Sequence, residues 1–207
     1  MLAVDLLRRD VDSHVRTLQE FRQVSYAIVA IAAIFLAYGV YAFNKLTSLK
    51  NLVAEGWSGI DVQLKRRAEL IPNLVEVVKG YASHENKLFR DIVELRNRAI
   101  AGGSITDQAA TGKQVTAALG KLIALSENYP DLKADASFRK LQEQLAETED
   151  QLQMSRRYYN GTARNMNTMI EQVPSNLVAI AFGFARPEFF QIEDDAQRQV
   201  PQVTLGS

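Results

Sequence analysis

The chain contains no cysteine. Disulfides and thiol chemistry are excluded, and the redox compartment is left open. Its only histidines are His14 and His84, too few for a histidine-rich metal site within one copy. Neither sign of charge is in excess: 24 Lys plus Arg stand against 24 Asp plus Glu. Net charge therefore gives no reason to expect nucleic acid as a partner. Five prolines and eleven glycines are few for 207 residues, and they punctuate long periodic segments. Also missing are a Gly-rich phosphate loop, Cys-based metal spacing and a serine nucleophile elbow. These absences leave an all-helical protein with no evident centre for chemistry.

What is present, first, is an apolar run at residues 24–43, VSYAIVAIAAIFLAYGVYAF, with no charge in it. The nearest charges are Arg22 and Lys45, so 22 uncharged residues lie between them. As a helix they measure about 33 Å. The hydrocarbon core of a bilayer is about 30 Å thick. Tyr26, Tyr38 and Tyr41 sit near the ends, where amphipathic rings favour the headgroup region. A buried core helix is the competing reading, but the length, uniform apolarity and charged flanks favour a single-pass span. No small-x-small cleavage site follows, so the run reads as a retained anchor and not a signal peptide. Four basic residues (Arg8, Arg9, Arg16, Arg22) precede it closely and two (Lys45, Lys50) follow. That bias toward an inside N-terminus is too small to fix which side carries the rest.

Residues 1–22 form an arm. Val4, Leu7, Val11, Val15 and Leu18 fall at helical spacing, with Arg8, Arg9, Asp10, Asp12 and Arg16 on the other sides. This pattern fits an amphipathic helix on a membrane surface or against a neighbouring arm, and a frayed polar tail is the plainer alternative. Beyond the anchor, Val53, Trp57, Ile60, Leu64, Arg67, Ile71, Leu74 and Val78 alternate steps of four and three. The same steps continue through Tyr81, Glu85, Leu88, Ile92, Leu95 and Ala99. This is one seam of a long helix, kinked at Pro72 and ending at Gly102-Gly103-Ser104. Trp57, about 20 Å past the anchor along a helix, is expected to be a core anchor.

A second helix starts near Thr106-Asp107 and stops at Tyr129-Pro130. Residues 129–134 read as a turn between antiparallel helices. A third helix runs from about Ser137 to Ile170, with a seam through Phe138, Leu145, Leu152, Tyr159 and Met166. Thr148, Ser155 and Thr162 make the middle of that seam small and polar, able to accommodate a facing Arg67. Its outer faces carry Glu143, Glu147, Glu149, Asp150, Arg156 and Arg157. Pro174 suits the first turn of a short helix over about 175–184, too short to span a bilayer. That segment either closes the bundle, the simpler reading, or touches lipid or a partner. The tail, 191–207, is polar.

The fold class expected is all-α: an arm (1–22), a transmembrane helix (23–44), an antiparallel coiled-coil-like bundle of three to four long helices (45–190), and a polar tail (191–207). Four stretches are specific enough to suggest a family. They are WSGIDVQLKRRAELIPNLVEVVKGYASHE (57–85), YPDLKA (129–134), LQEQLAETEDQLQMSRRYYN (141–160) and NTMIEQVPSNLVAIAFGFARPEFF (167–190). In this order and spacing the chain resembles the LemA family. The resemblance implies a membrane-anchored helical bundle and no established enzymatic activity. Magnetosome proteins with this domain suggest membrane organisation, and neighbourhood with membrane proteases suggests an accessory role.

Candidates for chemistry are Asp61, Arg66, Arg67, Asn73, Glu76, His84, Glu85, Glu147, Glu149, Asp150 and Asn160. Paired carboxylates can hydrolyse glycosides or hold a divalent cation. Here basic residues share their faces. A structural polar cluster of Arg66, Arg67, Glu85, Glu147 and Asp150 that fixes register is the simpler account. A lone His84 has no triad partner. The expected contacts with lipid or other copies are Leu7, Val11, Val15, Leu18, Ala30, Ala33, Ala37, Phe182, Phe184, Phe189 and Phe190. No catalytic residue, metal or cofactor is expected. The sequence reading is a non-enzymatic scaffold of the bacterial inner membrane, self-assembling as a homo-oligomer. An adaptor of a membrane protease or other envelope enzyme is the alternative.

Overall fold

The computed structural model describes residues 2–190, with side chains from residue 21 onward. The side chains of Leu7, Val11, Val15 and Leu18, and the whole 191–207 tail, lie outside the described residues. Among the described residues there are six helices and no strand: α1 (Leu2–Tyr81), α2 (Asn86–Ala101), α3 (Ile105–Ser126), α4 (Pro130–Ala134), α5 (Ala136–Glu171) and α6 (Ser175–Ala181). The all-α expectation is met. The chain divides into two compact units, one of residues 2–48 with Met169–Ala185, the other of Leu49–Thr168 with residues 186–190.

In the second unit the expected seams are buried. Ile60, Leu64, Arg67, Ile71, Leu74 and Val78 of α1 are inside, as are Phe138, Leu145, Thr148, Leu152, Tyr159 and Met166 of α5. The two helices run antiparallel, because partners descend along α5 as positions ascend along α1. A β-carbon on Gly56 would lie 3.0 Å from Tyr159 Cα, and one on Gly59 would lie 3.7 Å from Ser155 Oγ. Arg66 meets Glu147, and Tyr81 meets Asp135. Gly56 thus lets the two backbones approach closely. Thr148 and Thr162 turn their hydroxyls back to their own helix, onto the carbonyls of Gln144 and Tyr159. They do not receive Arg67.

The first long helix does not continue to Gly102. α1 ends at Tyr81, and a turn over residues 82–85 leads into α2. Both Tyr81 and Glu85, placed on the seam by spacing, are exposed. The reason is tertiary. By reversing, the chain packs Phe89 and Ile92 with Ile71, Leu74 and Val78 in one apolar cluster, which Val115, Leu122 and Phe138 complete. That burial outweighs the few helical hydrogen bonds lost at the break.

Pro72 lies inside α1 without ending it. Proline has no N–H, so the carbonyl of Ala68, four residues back, loses its intrahelical donor. Arg96 of α2 replaces it, donating from Nε to Ala68 O at 2.9 Å.

α3 begins with a capping box. The Asp107 amide donates to Ser104 Oγ at 3.1 Å, and the Ser104 amide to Asp107 Oδ2 at 3.3 Å. The stretch expected as a turn at 129–134 contains the one-turn helix α4, with proline at its start. Asp135 then caps α5, accepting from the amides of Ser137 (2.8 Å) and Phe138 (3.0 Å).

In the first unit, the apolar run faces outward. Val24, Ile28, Ile31, Phe35 and Val40 are all exposed. α6 belongs to this unit. Ser175 Oγ donates to the carbonyls of Met169 and Gln172 (2.7 and 2.9 Å) and ties α6 to the end of α5.

Candidate functional site

Two places carry features that the fold alone does not require: a buried charged cluster in the second unit and an apolar surface in the first.

The cluster is centred on Arg67, which is 1% exposed. Its Nη1 donates to Glu149 Oε1 at 2.9 Å and to Thr116 Oγ1 at 3.2 Å. Thr116 in turn donates to Gly112 O. Arg67 of α1 therefore bridges α3 and α5. A second arginine, Arg156, is also buried and stacks its guanidinium 4.8 Å above the ring of Phe190. A β-carbon at Gly112 would stand 3.5 Å from Nη2 of each arginine, an ordinary contact distance, so both guanidinium groups lie against this turn of α3. Burial first, and then the charge of Arg67, push the Arg156 pKa down, while Glu149 pulls it up. Two buried guanidinium groups thus lie near one carboxylate, which is bonded to Arg67 and acts on Arg156 only through its charge. Among the described residues, Arg67 Nη2 and Arg156 Nε have no hydrogen-bond partner. A cavity of about 10 Å³ beside Arg67, lined in part by Leu64, Arg98 and Gly112, is of the order of one water.

The remaining members expected at this cluster are dispersed. Arg66 and Glu147 meet at 3.2 Å but both are largely exposed. Asp150 is exposed, and Glu85 lies in the turn before α2. Glu149, read from the sequence as an outer-face residue, is the partner of Arg67. Arg156, read the same way, is buried. Asp61 pairs with Lys65 on the surface at 2.7 Å. Asn73, Glu76 and His84 are exposed. Among the described residues no three His, Asp or Glu side chains are grouped to hold a metal ion.

Residues 186–190 are strapped along α5. Tyr159 donates its hydroxyl to Glu188 O at 2.7 Å. Asn160 clamps Phe190 both ways, accepting from its amide (2.8 Å) and donating to its carbonyl (3.1 Å). Asn167 donates to Pro187 O at 3.2 Å. Burial and the nearby Glu188 raise the Tyr159 pKa, which keeps the hydroxyl a donor. Trp57 completes the group, with ring centroids 5.6 Å from Tyr159 and 6.1 Å from Phe190. Phe190, expected as a contact for lipid or a second copy, is instead 3% exposed, and Phe189 packs partly buried beside it. The strap holds both against the core. Its signal in the sequence was Asn160, whose amide side chain can mimic a backbone partner, but nothing local named Phe190 as the recipient.

The apolar surface behaves differently. Ala30, Ala33 and Ala37 are exposed along the run. Phe182 is exposed and Phe184 half-buried, both against Phe43, at centroid separations of 4.8 and 5.8 Å. Among the described residues, one helix is long and apolar enough to cross a membrane.

The model of the LemA family matches residues 56–205. This chain belongs to the LemA family. Among curated relatives, the magnetosome protein MamQ 1 of Paramagnetospirillum magneticum is 25% identical over 191 residues, covering 80% of this chain and 70% of the relative. MamQ of Magnetospirillum gryphiswaldense is 22% identical over 195 residues, covering 81% and 72%. The protein LemA of Metamycoplasma hominis is 24% identical over 177 residues, covering 85% and 80%. The charged cluster, the strap and α6 all fall inside the LemA match, and the apolar run at 24–43 lies ahead of it.

Proposed function

We propose that this chain is a non-enzymatic, single-pass scaffold of the bacterial inner membrane that assembles with its own copies to organise the membrane around it. The observation that carries this reading is the contrast within α1. Residues 24–40 present large apolar side chains outward on every face, whereas residues 60–78 bury a narrow stripe. A helix apolar all round needs an apolar surrounding, and a bilayer supplies it. The buried arginine cluster supports the non-enzymatic part. Arg67, bonded to Thr116 and Glu149, holds α1, α3 and α5 in register, which is a structural use of the buried charge. Self-association is supported by Ala27, Ala30, Ala33 and Ala37, exposed at spacings of three and four, where small residues let helices approach in lipid. The MamQ relatives, named as magnetosome proteins, fit a role in a membrane-bound structure.

Electron microscopy and mass measurement of gently extracted full-length particles test this. A closed assembly of many copies that is lost on removing residues 1–22 is expected. A monomer in both mild detergent and nanodiscs, unchanged by that deletion, overturns it. The second reading, an adaptor for a membrane protease or another envelope enzyme, draws on the exposed Leu177, Ile180 and Phe182. Crosslinks from these positions to a second envelope protein favour it, and crosslinks only between copies count against it.

A further inference from the structure

α6 is built inside out for water. Its buried residues are small, Ser175 and Ala179. Its large apolar residues point outward: Leu177 is 65% exposed and Ile180 76%. Val173, just before it, and Phe182, at its end, are exposed as well. A helix against an aqueous surface buries large apolar side chains and exposes polar ones, and here the order is reversed. Nor is any charge at hand to solvate this segment, since residues 172–185 contain no Asp, Glu, Lys or Arg.

The same unit shows what adjoins it. Phe182 packs at a tilt against Phe43, the last residue of the apolar run. Phe35, Leu36, Gly39, Val40 and Phe43 of α1 line, with Phe182, a groove of about 360 Å³. Five of the groove's six walls thus belong to the run itself. The apolar exterior of α6 is continuous with the apolar exterior of residues 24–43.

We infer that α6 is a lipid-embedded helix: it lies at one end of the spanning run, within the bilayer, and acyl chains of phospholipids fill the groove and cover Leu177 and Ile180. This rests on residues 24–43 crossing a bilayer. α6 is seven residues long and cannot cross one. It therefore broadens the anchor on one leaflet only, placing a second apolar element beside a single-pass helix. An anchor wider in one leaflet than in the other is wedge-shaped, which gives the proposed membrane-organising role a local physical basis.

The chain's lack of cysteine makes the test direct. Single substitutions Leu177→Cys, Ile180→Cys, Ile31→Cys and Lys121→Cys are made in the full chain. Each is labelled with an environment-sensitive fluorophore and reconstituted in phosphatidylcholine nanodiscs. Lipids with nitroxides on their acyl chains and aqueous iodide serve as the two quenchers. Ile31 reports the span, and Lys121, exposed on α3, reports water. The expected result is blue-shifted emission at 177 and 180, with loss of signal to lipid nitroxide as at Ile31 and protection from iodide. If Ile31 is quenched by lipid while both α6 positions are quenched by iodide, α6 lies in water and the inference is overturned with the span intact. If the α6 positions are protected from both quenchers, protein covers them, and lipid is the wrong occupant. If Ile31 itself escapes lipid quenching, the spanning reading fails and takes this inference with it.

Discussion

At the scale of single residues, close approach and buried charge decide most. Gly56 sits where a β-carbon would meet Tyr159 Cα at 3.0 Å, a backbone atom that cannot swing away. Gly56→Ala should therefore destabilise the second unit, since overpacking costs about 1–3 kcal/mol and exceeds the gain in helix propensity. Gly120, exposed in α3 with nothing within 4 Å, is the control. Gly120→Ala should stabilise by roughly 0.5–1 kcal/mol. Denaturant midpoints of the two variants should move in opposite directions. Glu149→Ala removes the carboxylate bonded to Arg67, leaving that buried guanidinium uncompensated. A loss of about 3–5 kcal/mol is expected, toward the lower end because Glu149 is 26% exposed. Glu147→Ala breaks only a largely exposed pair and should cost less than about 1 kcal/mol. Equal costs in thermal melts would show that the buried Arg67 does not depend on Glu149. The sequence made Arg67 legible as a charge on a seam, but not its partner. Glu147, Glu149 and Asp150 lie within one helical turn, and only the relative rotation of α1 and α5 chooses among them. Arg156 was misread because a seam of alternating threes and fours is narrower than the stripe a helix buries between two neighbours.

At the scale of elements, periodicity revealed the helices because burial imposes it, and it failed where two elements share one phase. The seam of α1 continues numerically into α2, so spacing could not show that the chain reverses at 82–85. Gly80 and the polar Ser83-His84-Glu85 were the local signals, weaker than the seam. Pro72 and Arg96 form a device that spacing cannot show at all. Arg96→Met should cost roughly 1–3 kcal/mol, because the buried Ala68 carbonyl loses its donor. In a Pro72→Ala background the new amide can supply that donor, so the same change should cost less. A double-mutant cycle with no coupling would refute this pairing. The junction of α4 and α5 predicts a pH dependence. The Phe138 amide, then the Tyr81 hydroxyl, hold the Asp135 carboxyl below its ordinary pKa, and Asp135 holds the Tyr81 pKa above its own. Asp135 contributes stability above the ordinary aspartate range, lost as pH falls through its lowered value. Tyr81 contributes below the ordinary tyrosine range, lost as pH rises through its raised value. The melting-temperature gap between the wild type and Asp135→Ala should be open at neutral pH and close in acid. With Tyr81→Phe the gap should close in alkali. Gaps constant across pH would mean that neither group is coupled to folding.

At the scale of the whole molecule, the chain contains two kinds of apolar surface that serve different surroundings. In the second unit, large apolar side chains point inward, and residues 186–190, held by Tyr159, Asn160 and Asn167, are strapped over them. In the first, they point outward from both α1 and α6. Hydropathy alone distinguished the run at 24–43, because nothing else in the sequence is apolar for so long. It could not assign α6, whose composition suits a core as well as a lipid face and whose orientation depends on which side its small residues take. The two surfaces should fail separately. Ile31→Lys places a charge near the middle of the run, at a cost of about 2.5–3.5 kcal/mol for insertion. It should release protein from the membrane fraction while leaving the melting of the second unit in place. Phe190→Ala empties a buried ring site under Arg156 and should cost about 3–5 kcal/mol. It should lower that melting temperature while membrane retention is unchanged. Fractionation and calorimetry on both variants read the two effects independently. If Ile31→Lys lowers the melting temperature as far as Phe190→Ala does, the outward surface is part of a protein core, and the membrane reading of α1 fails with it.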